Sequence, residues 1–170
     1  AITEDALDLL QDFDGIQMIT EMPTYDISFD EMIGEDVTPI KYPKAGKEYP
    51  IVGILDSGVA NIPHFEPWLE NDRSTYFIDD VINKGHGTFV AGVLLYGDDF
   101  QGNKYTGLEG CKIYEAIVIA DKNKQAISED ELIENIRDAV SRNNHIKIWN
   151  LSLGTATEAD LYEFSDFGKA

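Results

Sequence analysis

IVGILDSG, at residues 51–58, is the stretch of sequence that decides the fold. A continuous run without polar side chains, rich in Ile, Val and Leu, is typical of a strand that is buried on both faces, as in a parallel sheet. The run stops at Asp56, whose side chain would stand at the carboxyl end of the strand. Ligands of open parallel sheets bind at that end. The stretch therefore predicts a parallel α/β sheet with a carboxylate at its functional edge.

Strand and helix patterns alternate along the rest of the chain. Apolar runs at residues 112–119 and 146–151 predict two further buried strands. Ser128 and Glu131 form a capping box ahead of apolar residues with helical spacing, and residues 157–160 open a final helix. This order is typical of a three-layer α/β fold, in which helices flank a parallel sheet through right-handed crossovers.

GHGTFVAG, at residues 85–92, places one histidine between two glycines where a helix is predicted to begin. The glycines leave room for a close approach, and the apolar residues that follow predict a buried helix with His86 in its first turn. The helix dipole disfavours a positive charge at this end. A histidine that accepts a proton here needs a carboxylate beside it, and Asp56 is predicted at the same edge of the sheet.

Three stretches resemble the subtilisin-like serine peptidases, also called subtilases or peptidase family S8. They are ILDSGV at residues 54–59, which is followed by His64, GHGTFVAG at 85–92, and WNLSLG at 149–154. The resemblance covers residues 50–170 and implies the N-terminal part of a truncated, subtilisin-like catalytic domain.

The resemblance also implies roles for individual residues, which are those of subtilisin carried over by position. Asp56 would hold one ring nitrogen of His86, and His86 would take the proton of a serine nucleophile through the other. Ser152, Leu153 and Gly154 would lie beside an extended peptide or protein substrate, which pairs with them as an added strand. These residues imply a serine endopeptidase with an Asp-His-Ser triad.

The family's nucleophile stands in a Gly-Thr-Ser-x-Ala setting, preceded by an asparagine of the oxyanion hole, and the chain contains neither motif. None of its seven serines has the glycine-flanked setting that exposes an attacking oxygen; they are Ser28, Ser57, Ser74, Ser128, Ser141, Ser152 and Ser165. We therefore expect a fragment of the parent peptidase that is inactive alone. An apolar sheet edge left open in such a fragment would favour self-association.

Two other interpretations stay open at this point. Asp-Ser-Gly after a strand also suits an ordinary turn, and Asp-x-Gly occurs in the phosphate loops of actin-like and sugar-kinase ATPases. The same fold could also serve as a non-catalytic domain that binds extended peptides or acts as a scaffold. A pure binding domain has no need for both Asp56 and His86, which favours the peptidase.

Composition excludes several classes of protein. Hydrophobic residues make up 43% of the chain, which excludes a disordered polar segment. A net charge of −19 argues against binding to nucleic acids or anionic membranes. No stretch approaches the roughly 20 apolar residues of a transmembrane helix, and no signal peptide is visible, so we expect a cytoplasmic protein.

The chain shows no clear metal or cofactor site. Cys111 is its single cysteine, which excludes an internal disulfide. His64 suits a packed structural position, and His145 suits the cationic end of a helix. Residues 98–103 are rich in oxygen ligands but do not have the spacing of an EF-hand. We expect a solvated loop there and no cofactor; calcium stays open as an alternative, without a ligand pattern that supports it.

Residues 1–49 form a separate N-terminal extension in this interpretation. A short acidic helix at residues 3–13 and a strand at 16–23 resemble the end of the propeptide-like domain that precedes many subtilases, although a simple extension packed on the main domain fits equally well. Residues 24–49 mix Asp, Glu, Pro and Gly without periodicity, which is typical of a linker or surface arm.

Overall fold

The computed structural model describes residues 25–26, 38–102 and 109–155. The predicted helix at residues 3–13, the strand at 16–23 and the final helix from residue 157 lie outside the described residues. Within them the chain forms six strands and two α-helices, with one 3-10 turn at Asp79–Val81. The strands are β1 (Tyr25–Asp26), β2 (Ile51–Asp56), β3 (Leu69–Thr75), β4 (Lys112–Ile117), β5 (Ile148–Leu151) and β6 (Gly154–Thr155), and the helices are α1 (Gly85–Gln101) and α2 (Glu129–Arg142).

Four strands form a parallel sheet in the order β3-β4-β2-β5. Asp56 at the end of β2 is in register with Ile117 of β4, which is in register with Thr75 of β3. On the other side of β2, Leu55 is in register with Leu151. The carboxyl ends of all four strands therefore meet at one edge, as the sequence predicts.

Two hydrophobic clusters cover the two faces of this sheet. Val52 and Ile54 of β2 pack with Val90 of α1 in one cluster, whereas Leu55 packs with Leu132 of α2 in the other. Alternate residues of a strand point to opposite faces, so α1 and α2 lie on opposite sides of the sheet. The three-layer α/β fold with a parallel sheet is confirmed.

The sheet differs from the prediction at both of its edges. Strand β3 was not predicted, because its sequence Leu-Glu-Asn-Asp-Arg-Ser-Thr lacks an apolar run. Strand β5 was predicted to be buried, but Ile148 is 54% and Leu151 is 39% exposed. Among the described residues β5 has a neighbour in this sheet on one side only, β2, which explains the exposure.

Helix α1 is longer and less buried than the sequence predicts. It continues to Gln101, so the first part of the expected loop at residues 98–103 is helical, and Gly102 ends the helix with a φ of 66°. Phe89 and Val93 are about half exposed, at 47% and 50%. One side of the helix packs on the sheet, and the described residues do not cover the other. No helix in the described part of the chain is long and apolar enough to span a bilayer.

The end of the predicted surface arm, residues 38–49, is held on the domain by hydrogen bonds. The indole nitrogen of Trp68 donates to the carbonyl oxygen of Lys41 at 2.8 Å, and the backbone N–H of Lys41 donates to the Tyr96 hydroxyl at 3.2 Å. The rings of Tyr49 and Trp68 meet edge to face, with their centroids 5.1 Å apart.

Candidate active site

Asp56 is the last residue of β2, and its side chain is completely buried. One carboxylate oxygen, Oδ1, accepts the backbone N–H of Ser57 at 2.7 Å and the hydroxyl of the same residue at 3.2 Å. A buried carboxylate is costly without such partners. These hydrogen bonds fix the carboxyl group and leave its second oxygen for another donor.

His86 supplies that donor from the first turn of α1. Its Nδ1 atom lies 2.8 Å from Oδ2 of Asp56. An ionised carboxylate only accepts hydrogen bonds, so Nδ1 is the donor of this pair, and in a neutral imidazole the lone pair is then on Nε2. The imidazole is 15% exposed. The arrangement is that of a general base whose ring is oriented by a buried acid.

Close backbone packing brings the strand end and the helix start together. A Cβ atom on Gly87 would lie 2.2 Å from the carbonyl oxygen of Gly58, which excludes any larger residue at position 87 without movement. Gly58 has a φ of 96°, a conformation that favours glycine. Gly58 and Gly87, one from each sequence motif, therefore allow the close approach of the two segments.

Thr88 ties the same two segments by hydrogen bonds. Its hydroxyl accepts the backbone N–H of Ala60 at 2.8 Å and donates to the carbonyl oxygen of Lys84 at 2.5 Å. No role was predicted for Thr88 from the sequence. Its signal was its place directly after the Gly-His-Gly turn.

The chain matches the model of the subtilase family, Peptidase_S8, over residues 47–167, which is more than half of its length. The chain belongs to the subtilase family. No curated protein and no solved structure matches it. The match includes both Asp56 and His86, and the family is one of serine peptidases. The resemblance stated from the sequence motifs is confirmed.

The third motif of this subtilase, residues 149–154, begins within β5 and continues past its end, at the same edge as Asp56. The register of Leu55 with Leu151 places Ser152 one residue beyond the end of the paired region. The Ser152 hydroxyl donates to the side-chain oxygen of Asn150 at 2.9 Å, and Leu153 packs against the cluster on the α2 side. Gly154 lies in the short strand β6.

Strand β6 pairs with an extended stretch from the N-terminal extension. Tyr25 is in register with Thr155, and Asp26 with Gly154, in an antiparallel pair. Residues 25–26 therefore pair with Gly154, which the resemblance places beside a substrate, and with Thr155.

The other histidines and the cysteine lie outside the Asp–His pair. Nε2 of His64 lies 2.8 Å from the carbonyl oxygen of Thr38, and its ring meets Tyr96 edge to face. His145 is exposed after α2. Burial raises the pKa of the Cys111 thiol to about 11, which keeps it protonated at neutral pH. In the described ranges no group of three or more His, Cys, Asp or Glu residues could hold a metal ion.

Proposed function

We propose that Asp56 and His86 are two members of an Asp-His-Ser triad, and that this chain is the N-terminal part of the catalytic domain of a serine endopeptidase. The observation that carries the proposal is the 2.8 Å hydrogen bond between His86 Nδ1 and a completely buried Asp56 carboxylate. This pair stands at the edge of the parallel sheet where ligands bind in open α/β folds.

The pair is suited to proton transfer in acyl transfer. When a serine hydroxyl attacks the carbonyl carbon of a peptide, Nε2 of His86 takes the hydroxyl proton and the imidazole becomes positively charged. Asp56 stabilises that charge, which the start of helix α1 alone would oppose. His86 then donates this proton to the departing amine. In the second half of the reaction His86 takes a proton from water, which attacks the acyl-enzyme, and gives it back to the serine oxygen. General base catalysis of this kind contributes about 10²- to 10⁴-fold to the rate.

An extended peptide is the substrate that the neighbouring edge fits best. Backbone groups of Ser152, Leu153 and Gly154 would pair with it as one strand pairs with another. The antiparallel pairing of residues 25–26 with residues 154–155 supports this proposal, because it is an example of an extended segment on the same stretch of chain.

The chain does not contain the Gly-Thr-Ser motif of the family's nucleophile. We therefore propose that the parent protein supplies the serine and the oxyanion-hole asparagine from sequence beyond residue 170. In this proposal the 170-residue chain does not hydrolyse peptides by itself.

Labelling with a fluorophosphonate tests the proposal, because the reagent reacts with serines that an adjacent base activates. We expect the folded parent protein to be labelled, and its His86→Ala variant and the isolated chain to remain unlabelled. His145→Ala is the matched control, since this histidine is exposed after α2. A folded parent protein that is not labelled would support the non-catalytic peptide-binding domain instead. Labelling of the isolated chain would contradict the proposed absence of a nucleophile.

A further inference from the structure

Glu115 is a buried carboxylate in the middle of the central sheet. It is the fourth residue of β4, stands in register with Ile54 of β2, and is 9% exposed. Its neighbours in the strand, Tyr114 and Ala116, belong to the hydrophobic core. A carboxylate at such a position is costly unless hydrogen bonds and a positive charge compensate its burial.

The partners of Glu115 belong to the two segments that carry the Asp–His pair. Its Oε1 atom accepts the backbone N–H of Val59 at 2.8 Å, in the loop that follows Asp56. The same oxygen lies 3.9 Å from Nζ of Lys84, the residue that precedes helix α1. One carboxylate oxygen therefore contacts the loop three residues after Asp56 and the side chain two residues before His86.

We propose that Glu115 is a positioning residue for the hydrogen bond between Asp56 and His86. The direction of the Asp56 carboxyl group depends on the loop after β2, because Oδ1 accepts the N–H of Ser57. Glu115 fixes the far side of that loop at Val59, and it attracts the start of the helix that carries the imidazole. The importance of Glu115 for catalysis rests on the proposed function. Its effect on the Asp56–His86 hydrogen bond does not, because that effect depends on the geometry of the pair alone.

A purely structural role would have a different consequence. If Glu115 only stabilised the sheet, its loss would lower the stability of the whole domain, and any comparable loss in β4 would have the same effect on His86. Tyr114 offers that comparison, because its hydroxyl is hydrogen-bonded to Ser74 Oγ at 2.9 Å, away from the pair. Tyr114→Phe removes a hydrogen bond from the adjacent position of the same strand.

The test uses ¹⁵N NMR of the histidine side chains in this chain. The measured quantities are the resonance of the proton on His86 Nδ1, which a strong hydrogen bond shifts far downfield, and the rate at which this proton exchanges with water. We expect the wild type, Tyr114→Phe and Glu115→Gln to show a protected proton, since Gln keeps an oxygen that can accept from Val59. In Glu115→Ala we expect the signal to be lost, or to exchange at least about tenfold faster, as for a lost hydrogen bond to a charged group.

Glu115→Asp keeps the test decisive if the alanine variant does not fold. Its shorter side chain retains the charge but withdraws the carboxylate from Val59, so exchange at Nδ1 must again be faster than in Tyr114→Phe. Equal exchange in Glu115→Ala, Glu115→Asp and Tyr114→Phe would overturn the positioning role.

The outcome is independent of peptide hydrolysis. A parent protein without peptidase activity would overturn the proposed function but not the coupling between Glu115 and the pair. Unchanged exchange in Glu115→Ala and Glu115→Asp would overturn the coupling alone. A wild-type chain without a protected Nδ1 proton would contradict both.

Discussion

Gly87→Ala is expected to destabilise this domain, although alanine favours helices more than glycine does. Gly87 lies in the first turn of α1, where a Cβ atom would be 2.2 Å from the carbonyl oxygen and 2.9 Å from the carbonyl carbon of Gly58. Ordinary van der Waals contact for a Cβ atom begins at 3.4 Å. The added methyl group would therefore overlap the neighbouring backbone by more than 1 Å (3.4 − 2.2 Å).

The magnitude follows from two opposing contributions. Overpacking costs about 1–3 kcal/mol, and we expect the upper end because a backbone carbonyl cannot rotate away as a side chain can. Helix propensity returns up to about 1 kcal/mol for the exchange of glycine by alanine. The free energy of unfolding should fall by about 2 kcal/mol.

Gly97→Ala is the matched control in the same helix. Its Cβ atom would lie 3.7 Å from a methyl group of Val93, an ordinary contact. The higher helix propensity of alanine is then the only effect of the substitution, and the free energy of unfolding should rise by about 0.5–1 kcal/mol. Urea unfolding followed by circular dichroism gives both values from the midpoint and the slope of each transition. A Gly87→Ala variant as stable as Gly97→Ala would refute the close approach of the loop and the helix.

Two further predictions concern the rest of the domain. Burial raises the pKa of the Cys111 thiol from 9.0 to about 11, so the folded chain retains a proton that the unfolded chain releases. The stabilisation is complete below pH 9, and stability in urea unfolding should decline more between about pH 9 and 11 in the wild type than in Cys111→Ala. Equal declines would contradict the raised pKa of this thiol. Ser128→Ala should lower the free energy of unfolding in urea by about 1 kcal/mol, because the Ser128 hydroxyl accepts the N–H of Glu131 at the start of α2. Ser141→Ala, an exposed substitution in the same helix, should lower it by less than about 0.5 kcal/mol. Equal losses of stability in the two variants would contradict the cap.

Strand and helix positions were predicted best from the sequence where a local pattern had a single structural explanation. The apolar run of β2 ends at Asp56, and the Gly-His-Gly turn begins a helix. Since strand ends and the helices that follow them share one edge of a parallel sheet, the placement of Asp56 and His86 at that edge was predictable from position, and the resemblance to the subtilases predicted that they pair. The structure joins them by a direct hydrogen bond.

The edges of the sheet were less predictable for a physical reason. An edge strand pairs on one side only and tolerates polar residues, so the exposed and charged β3 carries no periodic apolar signal. Strand β5 has an apolar sequence, but a run of apolar residues does not show whether another element covers it. Ile148 is accordingly more than half exposed.

The role proposed for Glu115 depends on contacts that sequence spacing does not reveal. A single Glu within the apolar run of β4 is a visible signal of a buried charge. Its partner Val59, however, is 56 residues away along the chain. Only the register of β4 with β2 brings the two together, and that register is a property of the folded sheet.

The rate of peptide hydrolysis by the parent protein and by its His86→Ala variant decides whether His86 is the catalytic base. We expect kcat/KM to fall by about 10⁴-fold or more in His86→Ala, the order found when a triad member is removed from subtilisin itself, while His145→Ala stays within a few-fold of the wild type. A folded His86→Ala variant that hydrolyses peptides at the wild-type rate would contradict the claim that His86 is the catalytic base.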